Sequence, residues 1–193
     1  MRIDRKERYQ AMKQVYVLLA KTNTVTSKIT HIFTHGTYTH ASLALTPETD
    51  KFYSYARRRL YNFLIGGVVV EDVNTFVFAR FPDCNCGLFE IDVSDEDYER
   101  IKAQVDFCLA NYDRARYSFI GAALMRFGIV WRRPLKFTCS QFVAVCLSRA
   151  EGIKLPKDPY LMFPHDFVRI EGIRKIYDGR IKDCNFSGAT KID

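Results

Sequence analysis

The sequence predicts an α+β domain in which a central antiparallel sheet packs against helices. Three observations lead there. Short apolar runs bounded by turn residues recur through the first half of the chain, as strands do. Two later segments open with capping-box residues and continue with apolar side chains at helical spacing. The 193 residues are 48% hydrophobic and contain no internal repeat and no Pro/Gly/Ser-rich linker, so they can bury one sizeable core. Residues 1–193 are read as a single domain, with a core over about 14–170 and a basic tail after Gly172 left unassigned.

Val15 to Ala20 is short, apolar and rich in strand formers, and predicts a buried strand. Asn23-Thr24 can cap a helix whose Val25, Ile29, Ile32 and Phe33 share a face, with Gly36 placed to end it. A strand from about Tyr38 to Leu45 is followed by the turn-like Thr46-Pro47-Glu48-Thr49-Asp50. Lys51 to Arg57 is then expected to pair with it as a hairpin. Further strands are predicted at Val68 to Val70, Phe76 to Phe81 and Gly87 to Val93; in the last, Phe89, Ile91 and Val93 face one way and Glu90 and Asp92 the other. Ser94-Asp95-Glu96-Asp97 opens a helix running to about Asn111, with Tyr98, Ile101, Val105 and Cys108 on one side. A nearly all-apolar helix is expected from about Ser118 toward Trp131, and another from Thr138 to a stop near Gly152.

Composition narrows the function. The longest apolar stretch, Ser118 to Trp131, is interrupted by Arg126 and is shorter than the roughly 20 residues a spanning helix needs, so no transmembrane segment is expected. The N-terminus is charged and mixed in sign, with no secretory pattern, which points to a cytoplasmic location. Six cysteines in such a chain are expected to be reduced thiols. A net charge of +7 favours anionic partners, yet Arg57-Arg58-Arg59, Arg132-Arg133 and the tail's Arg174-Lys175, Arg180 and Lys182 are scattered and follow no nucleic-acid motif. They read as solvated faces, and no nucleic-acid partner is expected.

Most of the chemistry lies in Phe137-Thr138-Cys139-Ser140-Gln141-Phe142-Val143. Thr138 and Gln141 form a T-x-x-Q capping box, with Phe142, Val143, Cys146, Leu147 and Ala150 as the apolar face behind it. This puts Cys139 at the first helical position, beside backbone N–H groups without helical partners and at the positive end of the helix dipole. Helix N-termini lower thiol pKa values from about 8.5 into the range ~3.5–7.5, and the thiolate is the nucleophile. A buried structural thiol, as Cys146 is expected to be, is the alternative.

Four histidines could supply a base. His40 opens the strand His40-Ala41-Ser42-Leu43-Ala44-Leu45, where a sheet edge would hold the ring. His31 and His35 have metal-ligand spacing but lack a glutamate between them and a third ligand nearby. His165 belongs to a helix start with Asp166 in its first turn. Cys84-Asn85-Cys86 sits in a turn with no second pair to complete a metal site. No metal and no cofactor are expected.

Tyr117-Ser118-Phe119-Ile120-Gly121-Ala122, followed by Phe137-Thr138-Cys139-Ser140-Gln141-Phe142-Val143, resembles the Y-x-x-G-G … D-C-S-G-F-V core of the NlpC/P60 family of papain-like cysteine peptidases and amidases. There the histidine strand follows the cysteine helix, whereas here Thr39-His40-Ala41-Ser42-Leu43-Ala44-Leu45 precedes it. That order resembles the circularly permuted branch, with the YiiX/YaeF-like amidases and the relatives of lecithin:retinol acyltransferase. The strands Val15 to Leu19 and Tyr53 to Arg57 are also similar to that branch, and the likeness runs from about Val15 to Leu147.

The resemblance implies a permuted papain-like fold with Cys139 as nucleophile and His40 as general base. Tyr117 would line the site, with Thr138 and Ser140 beside it as substrate-binding positions. The residue that orients the histidine falls at Ser54, fourteen positions after His40, where the family usually has His, Asn, Gln or Glu; Glu71 is the second candidate. Thr138 replaces the family's aspartate and Ala122 its second glycine. Arg57 to Arg59, near Ser54, would clamp an anionic substrate. The implied activity is hydrolysis of an amide or peptide through an acyl-enzyme. Acyl transfer on a lipid-like or thioester substrate, with the apolar Ile120 to Trp131 helix lining a pocket, and a catalytically silent binding module are the alternatives. The partner is thus a small-molecule, peptide or lipid-like acyl substrate.

Overall fold

The apolar run that begins at Val15 becomes the middle of a six-stranded sheet, and that position explains its composition. The computed structural model describes residues 12–21, 37–46, 51–58, 65–72 and 82–184. Strands β1 (Lys13–Ala20), β2 (His40–Ala44), β3 (Lys51–Arg57), β4 (Gly66–Asp72), β5 (Asn85–Val93) and β8 (Arg174–Arg180) lie in the order β4-β3-β2-β1-β5-β8, every neighbouring pair antiparallel. A short parallel pair, β6 (Arg116–Tyr117) and β7 (Lys136–Phe137), forms a separate small sheet, with β6 packed against β4. Among the described residues three α-helices complete the α+β architecture: α1 (Asp95–Ala110), α2 (Phe119–Arg126) and α3 (Cys139–Leu147).

Because β1 is central, both its faces are covered. Val15, Val17 and Leu19 join Ala41, Leu43, Tyr55 and Ile91 in a core with Ile101 and Val105 of α1 and Phe142 and Val143 of α3. On the opposite side Tyr16, Leu18 and Ala20 pack with Ala44, Phe52, Leu88 and Ile181. A fully buried side chain of this size contributes about 1.5–3 kcal/mol, so a continuous apolar run is what a strand with two covered faces requires.

Helix starts follow local chemistry. Ser94 caps α1 by accepting from the Asp97 N–H at 3.1 Å. The buried Asp97 carboxylate then takes the N–H groups of Glu151 and Gly152, both at 2.9 Å, and so pins the turn that follows α3. Ser118 caps α2 through Gly121 N–H at 3.1 Å.

Helix ends differ more from expectation. The apolar run after Ser118 does not continue as helix to Trp131. Gly128 takes φ +69°, its N–H bonds Met125 O at 3.1 Å, and Ile129 N–H bonds Leu124 O at 3.0 Å. This is a Schellman closure, which ends α2 at Arg126 in spite of the hydrophobicity beyond it. α3 also stops early, at Leu147, five residues before Gly152.

The tail without a pattern becomes edge strand β8. Arg174 bonds Glu90 at 3.0 Å and Asp92 at 2.6 and 2.8 Å, so the polar face of β5 recruits it by charge. The expected helix after Thr24, with His31 and His35, and the expected strand Phe76 to Phe81 lie outside the described residues.

Candidate active site

The sequence brings Cys139 to its place through a capping box. Thr138 Oγ1 accepts from Gln141 N–H at 3.2 Å, and Gln141 Oε1 accepts from Thr138 N–H at 3.0 Å. Gln141 Nε2 also donates to Tyr160 O at 2.9 Å, tying the helix start to the chain beyond it. Cys139 is therefore the first residue of α3, and its backbone N–H and that of Ser140 have no intrahelical partner. All nine residues of α3 are buried, Cys139 being 5% exposed.

His40 opens β2, opposite Ala20. Its Nε2 lies 2.9 and 3.0 Å from the two carboxylate oxygens of Glu71. Ser42, two residues on and so on the same side of the strand, donates its hydroxyl to Glu71 Oε2 at 2.6 Å and lies 3.2 Å from Nε2. The imidazole also hydrogen-bonds Cys139. Burial, the largest single influence, pulls the His40 pKa down. The charge of Glu71, the hydrogen bond to Cys139, the hydrogen bond to Glu71 and the charge of Cys139 outweigh it and hold the ring well above its usual range.

The reach of Glu71 depends on Ser54. β4 and β2 are not neighbours, and with about 4.7–4.9 Å between adjacent strands the carboxylate must extend across β3. Ser54 lies on β3 in that path, paired with Val69 of β4 and one step along from the Leu43–Tyr53 pair of β3 with β2. It is fully buried, donates its hydroxyl to Ala41 O at 2.9 Å, and stands 3.5 Å from Nε2. Of the two candidates for the residue beside the ring, Glu71 makes the short contact, and the small Ser54 leaves room for it.

Tyr117 reaches the site through β6. At the start of β4 a Cβ on Gly66 would come within 2.8 Å of Tyr117 Cβ, and one on Gly67 within 2.4 Å of Ala115 O. Only glycine lets the two segments lie this close. Burial pushes the Tyr117 phenol up, and the neighbouring charge of Cys139 adds to it. Thr138 and Ser140 are both buried, their hydroxyls 3.3 Å apart and Thr138 Oγ1 3.8 Å from Met125 Sδ, so they are engaged within the helix end.

No family model and no curated protein matches the chain. The geometry therefore carries the functional reading.

The remaining expected positions separate from the site or serve it indirectly. Arg58 is anchored, donating to Tyr112 O at 2.6 Å and Val68 O at 3.3 Å with its guanidinium 3.6 Å from the Tyr112 ring centre. Arg57 ends β3 and Arg59 lies outside the described residues. His165 stacks on Phe163 in the 3₁₀ turn Pro164–Arg169, whose first turn holds Asp166. All six cysteines are unbridged, and among the described residues no three His, Cys, Asp or Glu side chains are grouped to hold a metal. Ser42 was missed by sequence reasoning. Its signal was present in the strand alternation, two residues from His40.

Proposed function

We propose that the protein is a cysteine hydrolase of amidase or peptidase type, built on a circularly permuted papain-like NlpC/P60 domain. The observation that carries this reading is His40 held between Cys139 and Glu71. With Nε2 engaged by the carboxylate, Nδ1 is the ring atom left for the sulfur. A carboxylate on the far nitrogen favours imidazolium, and imidazolium favours thiolate, so the pair is arranged for nucleophilic attack. A six-stranded antiparallel sheet with the cysteine at the start of a buried helix agrees with the fold that the resemblance implies.

In this mechanism the Cys139 thiolate adds to an amide carbonyl carbon. The oxyanion meets the N–H groups at the start of α3. His40 gives its proton to the departing amine as the C–N bond breaks, leaving a thioester on Cys139. Water, its proton taken by His40, then adds to the thioester, and the acid is released with the thiol restored. Exposed apolar side chains at the end of α2, joined to the α3 cap through Met125 and Thr138, favour a second reading in which a lipid-like substrate is the acyl donor.

The test is iodoacetamide alkylation across pH, with each of the six cysteines followed by mass spectrometry. Cys139 is expected to react fastest well below pH ~8, where an ordinary thiol is mostly protonated, and His40→Ala is expected to slow it there. A Cys139 that reacts no faster than Cys146, or that ignores His40, would remove the enzyme reading.

A further inference from the structure

α2 and the residues just after it display side chains that a folded chain usually covers. Phe127 is 75% exposed, Ile120 61% and Ile129 51%. Ile120 and Phe127 are seven residues apart and share one face of the helix, away from the buried Gly121 and Met125. The Schellman closure at Gly128 then ends the helix, and Ile129 follows it, also exposed. Together these exposed side chains make up the apolar tip of this segment.

Its surroundings are cationic. Between Asp113 and Glu151 the sequence contains no acidic residue, while Arg126, Arg132 and Arg133 lie on or next to the tip and are all exposed. Arg132 pairs with Asp158 and lies over the Tyr160 ring, 5.6 Å from its centre. Arg133 sits 5.3 Å from the Trp131 ring centre. Neither Arg126 nor Arg133 has an ion pair among the described residues. Exposed apolar side chains accompanied by Arg126 and Arg133, neither held by an acid among the described residues, and by Arg132 with its Asp158 partner, match a surface of apolar interior and anionic rim.

We infer that the tip formed by Ile120, Phe127 and Ile129, with Arg126, Arg132 and Arg133 around it, docks the protein on an anionic phospholipid bilayer. The apolar side chains enter the interface and the Arg126 and Arg133 guanidinium groups meet lipid phosphates. Among the described residues no helix is long and apolar enough to cross a membrane, so the contact is peripheral. Met125, on the buried side of the same helix, touches the Thr138 cap of α3, so docking brings the Cys139 end of that helix toward the bilayer. That consequence rests on the proposed thiol chemistry; the docking itself does not.

The experiment is co-sedimentation of the full chain with vesicles of phosphatidylcholine alone and of phosphatidylcholine mixed with phosphatidylglycerol. Binding is expected to the mixed vesicles, weakened by salt. Phe127→Ser with Ile129→Ser is expected to lower it by about 10-fold or more from lost apolar burial. Arg126→Ala with Arg133→Ala is expected to lower it by about 5-fold per arginine on the anionic surface. These sites are exposed, and far-ultraviolet circular dichroism checks that each variant is folded. Cys139→Ala is expected to bind as wild type does, so loss of docking and loss of the proposed chemistry are read independently. Equal binding to both vesicle types, no binding to either, or variants that bind like wild type would overturn the inference. So would concentration-dependent self-association abolished by Phe127→Ser, which would assign the tip to a second copy of the chain.

Discussion

Replacing Glu71 by glutamine preserves the shape of the side chain and removes its charge. In wild type the carboxylate receives Ser42 Oγ–H at 2.6 Å and His40 Nε2 at 2.9 and 3.0 Å, all within a buried cluster. A hydrogen bond to a charged group contributes about 1.5–3 kcal/mol. His40 can release its proton rather than remain as an unpaired buried charge, so this range applies rather than the larger cost of a stranded ion. At about 1.36 kcal/mol for each tenfold change, the Cys139 alkylation rate that the proposed His40 pairing supports should fall roughly 10- to 150-fold. Alkylation of Cys139 at about pH 6.5, where unperturbed His is half-protonated, is the assay, and the midpoint of its pH profile should move toward alkaline values. Stability gives a second readout. The folded pKa of His40 lies above its unfolded value, so its stabilisation is complete below about pH 6.5 and is lost as pH rises through the folded value. The gap in urea midpoint between wild type and Glu71→Gln should therefore be widest at the acid end of that window and narrow on going alkaline. An unchanged alkylation profile in Glu71→Gln, together with a shifted one in Ser54→Ala, would refute the argument and give the ring to Ser54.

Two further outcomes follow from the same geometry. Ser54→Ala should keep most of the Cys139 reactivity and cost about 1 kcal/mol for the lost bond to Ala41 O, whereas Ser54→Leu should fill the path of Glu71 and abolish fast alkylation; equal reactivity of the two variants would show that Glu71 needs no gap. Gly67→Ala places a Cβ 2.4 Å from Ala115 O and should destabilise the fold by about 1–3 kcal/mol, lowering the melting temperature by roughly 2–4 °C per kcal/mol. A melting temperature within error of wild type would mean that β4 and β6 can separate without cost.

Features that depend on a few neighbouring residues were legible in the sequence. Ser94 and Thr138 cap their helices because a hydroxyl three residues before a free N–H can reach it wherever the helix lies. The run from Val15 to Ala20 declares a strand buried on both faces because no charged side chain interrupts it. The extent of α2 was not legible, because continuous hydrophobicity has no period to mark an end, and the left-handed turn at Gly128 settled it. Nor was β8, whose Arg174 becomes part of a sheet only when Glu90 and Asp92 stand opposite.

The candidate site divides along the same line. Cys139 at a helix start and His40 at the head of a strand are consequences of local composition, and the sequence by itself determined them. Which polar group meets the far nitrogen of His40 depended on the register of β2, β3 and β4, since a one-residue slip would turn Glu71 to the other face. Spacing placed Ser54 on the path, and only the tertiary structure decided that a carboxylate from the next strand reaches over it. That contact spans two strand spacings, a distance that no pattern along one segment encodes.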